Sequence, residues 1–209
     1  MKILFFGDSI TDMCRDRNVD GYPQSFGAGY PFIVNSKLSE KNPNTHTLIN
    51  RGISGNKTVD LYARLKGDVW NLQPDVLSIL IGVNDIWHEI ECGNGIELKR
   101  FEKTYRNIIE ETKEQLPNIK IMLLEPFVLR GSATESKMDK FVEVYEYAKV
   151  VKRLAEEYEL VFVPLQKRFD EDAEKYGAET MLYDGVHPSI AGSTLIANEW
   201  LKGFIKIEK

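Results

Sequence analysis

Residues 3–9 read ILFFGDS. Four apolar residues run straight into a glycine, an acid and a serine, with no spacer. A run this short and apolar at every position predicts a strand covered on both faces, not an alternating half-solvated one. Four more short runs are near-continuous in apolarity: residues 47–49 (the weakest), 76–81, 119–124 and 160–163. Helical periods lie between them. Leu98, Phe101, Tyr105, Ile108, Ile109 and Leu116 recur at helical spacing, as do Phe141, Val144, Tyr145, Ala148, Val151, Leu154, Ala155 and Tyr158. A last helix from about Ser189 is predicted to turn Ile190, Ala197, Leu201 and Phe204 inward. Strands alternating with helices of this length indicate βαβ units, hence a five-stranded parallel sheet in a three-layer α/β/α fold. With no repeat, low-complexity tract or linker, residues 1–209 read as a single domain.

Composition excludes several functions. A net charge of −5 argues against a nucleic-acid groove or an anionic membrane surface as partner. No run approaches the roughly 20 apolar residues of a membrane span. Cys14 and Cys92 are the only cysteines, and two thiols without a spacing pattern suggest a reducing compartment. The expected location is the cytoplasm.

In open parallel sheets, ligands sit in the crevice beyond the carboxyl ends of the strands. The segments that leave the apolar runs are therefore informative. The first run ends in Gly7-Asp8-Ser9, the second in "NRGISGN" (residues 50–56), the third in "GVND" (82–85), and "YDGVHP" (183–188) precedes the last helix. A serine hydroxyl is a poor nucleophile at neutral pH and needs a base within hydrogen-bond reach. Imidazole suits that task, provided an acceptor on its other nitrogen fixes the tautomer. Among the three histidines, only His187 has an acid, Asp184, at a useful spacing, which one helical turn would bring to the same face. His46 and His88 lack such a partner. The N–H of Ser9 and the side-chain amide of Asn84 are candidate donors to a developing oxyanion. Asp8 reads as the residue that fixes the turn around Ser9, and Asp85 as a hydrogen-bonding loop residue. Other motifs fail: "SGNK" (54–57) lacks its partner motifs, "HEIEC" (88–92) has cysteine where a zinc protease needs histidine, and no Gly-x-Ser-x-Gly is present.

The four blocks Gly7-Asp8-Ser9, Gly52, Gly82-Val83-Asn84-Asp85 and Asp184-Gly185-Val186-His187 resemble, in order, those of the SGNH (GDSL) hydrolase superfamily. Isoleucine at position 10 replaces the leucine of the family's name, a volume-conserving change. The resemblance implies a flavodoxin-like sheet, Ser9 as nucleophile, His187 as base and Asp184 as its partner. It also implies an oxyanion hole from Ser9, Gly52 and Asn84, with no cofactor and no metal. "GDSITD", "NRGISGNKTVDLYARL", "IGVNDIW" and "DGVHPSIAG" are further similar to bacterial SGNH esterases that include intracellular acetylxylan esterases. That likeness implies removal of acetyl groups from a carbohydrate such as acetylated xylo-oligosaccharide, and homo-oligomers.

The loop 13–29 reads as a site-shaping loop, with Arg15, Asp16, Arg17, Asn18 and Asp20 suited to a sugar cleft and Cys14 to packing. Trp87 and Tyr183 are candidate stacking faces, and Asp8 completes the candidate substrate contacts. The competing readings are a lysophospholipase, thioesterase or arylesterase on the same site, and a non-catalytic flavodoxin-like module whose "GDS" loop holds an anion.

Overall fold

The structure is a computed structural model that describes residues 1–208. Strand β1 (Lys2–Gly7) leads into a single turn, α1 (Ser9–Asp12), and then to α2 (Tyr30–Lys41). Next come β2 (Thr47–Gly52), α3 (Thr58–Ala63), α4 (Leu65–Asp68), β3 (Val76–Leu80), α5 (Val83–Cys92) and α6 (Leu98–Gln115). The second half holds β4 (Lys120–Leu124), α7 (Met138–Phe141), α8 (Val144–Glu157) and β5 (Val161–Val163). It ends with α9 (Gln166–Tyr176), α10 (Ala178–Met181) and α11 (Ile190–Phe204).

All strand pairs are parallel, in the order β2-β1-β3-β4-β5, which is the flavodoxin-like arrangement. Ile3 to Phe6 and every residue of β3 are buried, as near-continuous apolarity requires when helices cover both faces. Helix α11 packs against α2 and spans β4 and β5, while α6 packs between α3 and α8. The core is tied across layers by Trp200 of α11. Its ring lies 5.4 Å from that of Phe5 and 4.8 Å from that of Phe204, and its buried Nε1 donates to Ser78 Oγ of β3 at 2.9 Å. No helix among the described residues is long and apolar enough to cross a membrane.

Two expectations fail locally. The helix expected to run from Phe141 to Tyr158 is interrupted at Val142 and Glu143, where the N–H groups of Glu143, Tyr145 and Glu146 bond i→i−3, although each of its expected inward positions is buried or half-buried. Ile190, expected to face inward, is 83% exposed because it opens α11, one residue after the N-cap Ser189. Ala197 and Phe204 do point into the core.

The chain runs from β1 to β2 on one side and reaches β3 on the other, so the topological switch point lies between β1 and β3. Ser9 and Asn84 leave the carboxyl ends of those two strands, on either side of the crevice the switch opens.

Candidate active site

Ser9 stands at the first position of α1. Asp8 caps that turn, its Oδ1 accepting from the Ile10 N–H at 2.9 Å. Asp8 is fully buried, and burial pushes its carboxyl up to about 7. This placement removes Asp8 from the candidate substrate contacts, since a side chain without exposed surface meets no substrate, and it supports the turn-fixing reading.

Ser9 Oγ lies 2.8 Å from His187 Nε2, a contact bridging 178 positions of sequence. His187 Nδ1 lies 2.7 Å from Asp184 Oδ2. The other carboxylate oxygen accepts from the N–H groups of Val186 and His187, at 2.9 and 2.7 Å. Asp184 and His187 do not share a helical turn as the spacing suggested. Residues 183–187 form an irregular loop closed by an isolated Leu182–Pro188 bridge, and the aspartate itself folds it. Gly185 reverses the chain there at φ +99°, and a Cβ on it would lie 2.4 Å from Thr134 Oγ1. Burial opposes the Asp184 charge, but the hydrogen bonds from the His187 side chain and the two N–H groups outweigh it and hold the carboxyl below its usual range. The Asp184 hydrogen bond in turn holds the His187 imidazole above its ordinary value of 6.5, against the opposing effect of partial burial.

The donors around Ser9 differ from expectation at one position. The Gly52 N–H is occupied, donating to Asn50 Oδ1 at 2.8 Å, and Gly52 is buried against α1. A Cβ at position 52 would lie 2.3 Å from Asp12 N and 2.6 Å from Thr11 C, so this glycine permits α1 to pack on β2. Gly55 lines the cleft instead, and among the described residues its N–H has no hydrogen-bond partner. The Ser9 N–H is likewise unpartnered among them, while Asn84 Nδ2 spends one hydrogen on Asn56 O at 3.0 Å. Asp12 pins the segment carrying Gly55 to the helix carrying Ser9. Its Oδ2 accepts from Ser54 N and Ser54 Oγ, both at 2.9 Å, and from Arg17. We expect Gly52→Ala to destabilise the fold by about 1–3 kcal/mol, because backbone of α1 must move. A thermal melt lowered by roughly 2–4 °C per kcal/mol would register it.

The cleft over Ser9 has a volume of about 380 Å³. Trp87 and Tyr183 both line it, and their rings lie 5.8 and 5.6 Å from that of His187, the tyrosine nearly parallel to it at 14°. Of the loop 13–29, only Met13 and Cys14 reach the cleft. Cys14 is exposed at φ +60°, not packed as expected. The charged loop residues serve the scaffold. Arg15 Nε donates to Gly52 O, Arg17 pairs with Asp12, and Asp20 forms a two-pronged pair with Arg51. Asp85 is buried in the first turn of α5 and accepts from the Thr58 N–H, which ties the exits of β2 and β3. Sequence reasoning missed His88 and Glu91, which also line the cleft. Their signal was helical: positions 84, 87, 88 and 91 form one face of α5. His46 lies away from the site, in a groove of about 810 Å³ between α2, α9 and α11. Among the described residues, no group of three or more histidine, cysteine or acidic side chains is placed to hold a metal ion.

A serine, an imidazole and a carboxylate in linear contact, with unsatisfied donors beside the serine, form an acyl-transfer geometry. Comparison with known proteins agrees with it. The chain is 36% identical to an acetylxylan esterase of Geobacillus stearothermophilus over 96% of its length and 92% of that protein's. It is 25% identical to the thioesterase 1/protease 1/lysophospholipase L1 of Escherichia coli K12, over 95% of its length and 80% of that protein's. Among solved structures, a GDSL-like lipase from Parabacteroides merdae superposes with a TM-score of 0.90 at 42% identity, covering 97% of this chain and 94% of that one. Axe2, the acetylxylan esterase of G. stearothermophilus, does so with a TM-score of 0.86 at 35% identity, covering 97% and 93%. Variants of Axe2 with a serine or an aspartate replaced by alanine are described as catalytic mutants. The model of the GDSL-like lipase/acylhydrolase family matches residues 5–195, and the chain belongs to that family.

Proposed function

We propose that this carboxylic ester hydrolase removes small acyl groups, acetyl foremost, from acetylated xylo-oligosaccharides, with Ser9, His187 and Asp184 as its triad. The observation that carries the reading is the unbroken contact from Ser9 Oγ through the His187 ring to Asp184, at 2.8 and 2.7 Å. His187 Nε2 takes the Ser9 proton as Oγ attacks the ester carbonyl. The negative charge that develops on the carbonyl oxygen rests on the N–H groups of Ser9 and Gly55 and the free hydrogen of Asn84 Nδ2. Collapse breaks the ester bond, and the departing alcohol takes the proton from His187. Water, deprotonated by the same nitrogen, then releases the acyl group from Ser9 as a carboxylic acid. The substrate class draws on the identity to acetylxylan esterase, well above that to the thioesterase/lysophospholipase. A cytoplasmic enzyme that self-associates completes the proposal. Free thiols at Cys14 and Cys92 support the first part, and the resemblance to bacterial SGNH esterases the second.

Acyl esters of increasing chain length, on sugar and on aryl alcohols, test the substrate. Highest kcat/KM on acetylated xylo-oligosaccharide supports the reading, and a preference for long acyl chains overturns it. The pH profile tests the base. His187 works only when neutral, and its hydrogen bond to Asp184 raises its pKa. The acid limb of kcat/KM should therefore fall with a midpoint above 6.5, and a midpoint at 6.5 or below would contradict the coupling.

A further inference from the structure

We infer that the cleft-facing side of α5 is the subsite for the alcohol half of the ester, and that Glu91 selects an uncharged, polyhydroxylated alcohol there. The inference rests on the triad reading and adds which residues recognise the leaving group, and by what chemistry.

The direction of the reaction locates this half of the substrate. His187 must return its proton to the departing oxygen, so the alcohol lies beside the His187 ring. The Trp87 and Tyr183 rings flank that ring and line the same cleft. From Asn84, α5 continues through Trp87 and His88 to Glu91, adding about 10 Å of wall beyond the oxyanion donors. Trp87 is held from two sides. Phe141 meets its ring edge-on at 5.6 Å, and its Nε1 donates to Glu91 Oε1 at 2.6 Å. The indole is therefore fixed before substrate arrives, which lowers the ordering entropy of binding.

Glu91 Oε2 has no hydrogen bond, and Glu91 no ion pair, among the described residues. An ionised carboxylate only accepts, so beside a fixed aromatic ring it suits the hydroxyls and C–H face of a sugar. The same charge repels phosphate. Among the described residues, no lysine or arginine lines the cleft to pair with a phosphorylated alcohol, as a coenzyme A thioester or a lysophospholipid would require.

The test compares kcat/KM for acetylated xylobiose, p-nitrophenyl acetate and acetyl-coenzyme A in the parent enzyme, Glu91→Ala and Glu91→Gln. In Glu91→Ala, the ratio of saccharide to aryl ester should fall by about 10-fold or more, chiefly through KM, as loss of a charged hydrogen-bond acceptor predicts. Glu91→Gln keeps an oxygen for the Trp87 Nε1 and removes the charge. Its ratio of acetyl-coenzyme A to aryl ester should rise about threefold or more. Equal losses on saccharide and aryl ester would mark Glu91 as structural and overturn the inference, as would unchanged ratios. Should Glu91→Ala not fold, the glutamine variant decides alone. A parent enzyme that hydrolyses p-nitrophenyl acetate but not acetylated xylobiose would sink both this inference and the proposed substrate. Saccharide hydrolysis with an unmoved ratio in the variants would sink this inference alone.

Discussion

Ser9→Ala is expected to cut kcat on an acetyl ester by about 10⁴–10⁶-fold while the melting temperature stays near that of the parent enzyme. The two halves of this expectation come from different observations. The Ser9 side chain is small and half-buried and makes one hydrogen bond, to His187 Nε2, so its oxygen contributes little to folding. The turn that carries it is held by others: Asp8 caps it, Asp12 pins it to Ser54, and Asn50 Nδ2 donates to Thr11 O at 2.7 Å. Removing the hydroxyl leaves the Gly55 and Asn84 donors and the cleft in place, so a small residual rate over water should persist. Treatment with a fluorophosphonate should add one label to the parent, on Ser9, and none to the alanine variant. Full activity in Ser9→Ala, or labelling elsewhere with loss of activity, would remove the nucleophile from the account.

The parts of the molecule that were legible in the sequence are those in which local pattern and long-range packing agree. The runs at residues 3–6 and 76–81 are strands because every position is buried, and burial on both faces writes itself as near-continuous apolarity, with Ser78 admitted because Trp200 Nε1 hydrogen-bonds it. The second strand was read only as residues 47–49, whereas β2 continues to Gly52. Its inward position Asn50 is polar, satisfied by Thr11 O, Phe26 O and the Gly52 N–H, and no local rule anticipates partners from a distant loop. The same limit explains the glycine. "GISG" offers Gly52 and Gly55 three residues apart, and only the register of Gly52 with Gly7, together with the α1 backbone above it, shows which of the two is walled in. Arg15, Arg17 and Asp20 have the composition of a sugar cleft but are taken up by scaffold partners, an arrangement composition cannot express. Ser9, Asn84, Asp184 and His187 were singled out because their residue types answer one chemical requirement, the first two at strand ends and the last two in the loop before the final helix. The reach between Ser9 and His187 is what the sheet supplies.

Asp184→Asn is expected to lower kcat by about 10⁴-fold with the loop geometry preserved, and the argument is one of tautomers. In the parent enzyme, Asp184 Oδ1 accepts two backbone N–H groups and Oδ2 accepts from His187 Nδ1. Nδ1 therefore carries the proton and Nε2 is left as the acceptor that faces Ser9 Oγ. Asparagine can keep the two backbone donors on its carbonyl oxygen, so the turn through Gly185 survives. Its NH₂ then faces Nδ1, where it can only donate, so neutral His187 must carry its proton on Nε2. That nitrogen can no longer take the proton of Ser9. The carboxylate that stabilises the imidazolium is also gone, and with it the hydrogen bond that raises the His187 pKa, so the acid limb of any residual activity should move to lower pH. A structural role for Asp184 predicts something else: a lowered melting temperature, an unmoved acid limb, and recovery of activity when the fold is stabilised by added substrate. A variant that folds as the parent does, with turnover within tenfold of it, would show that His187 is oriented by another group, and the triad would have to be redrawn around that group.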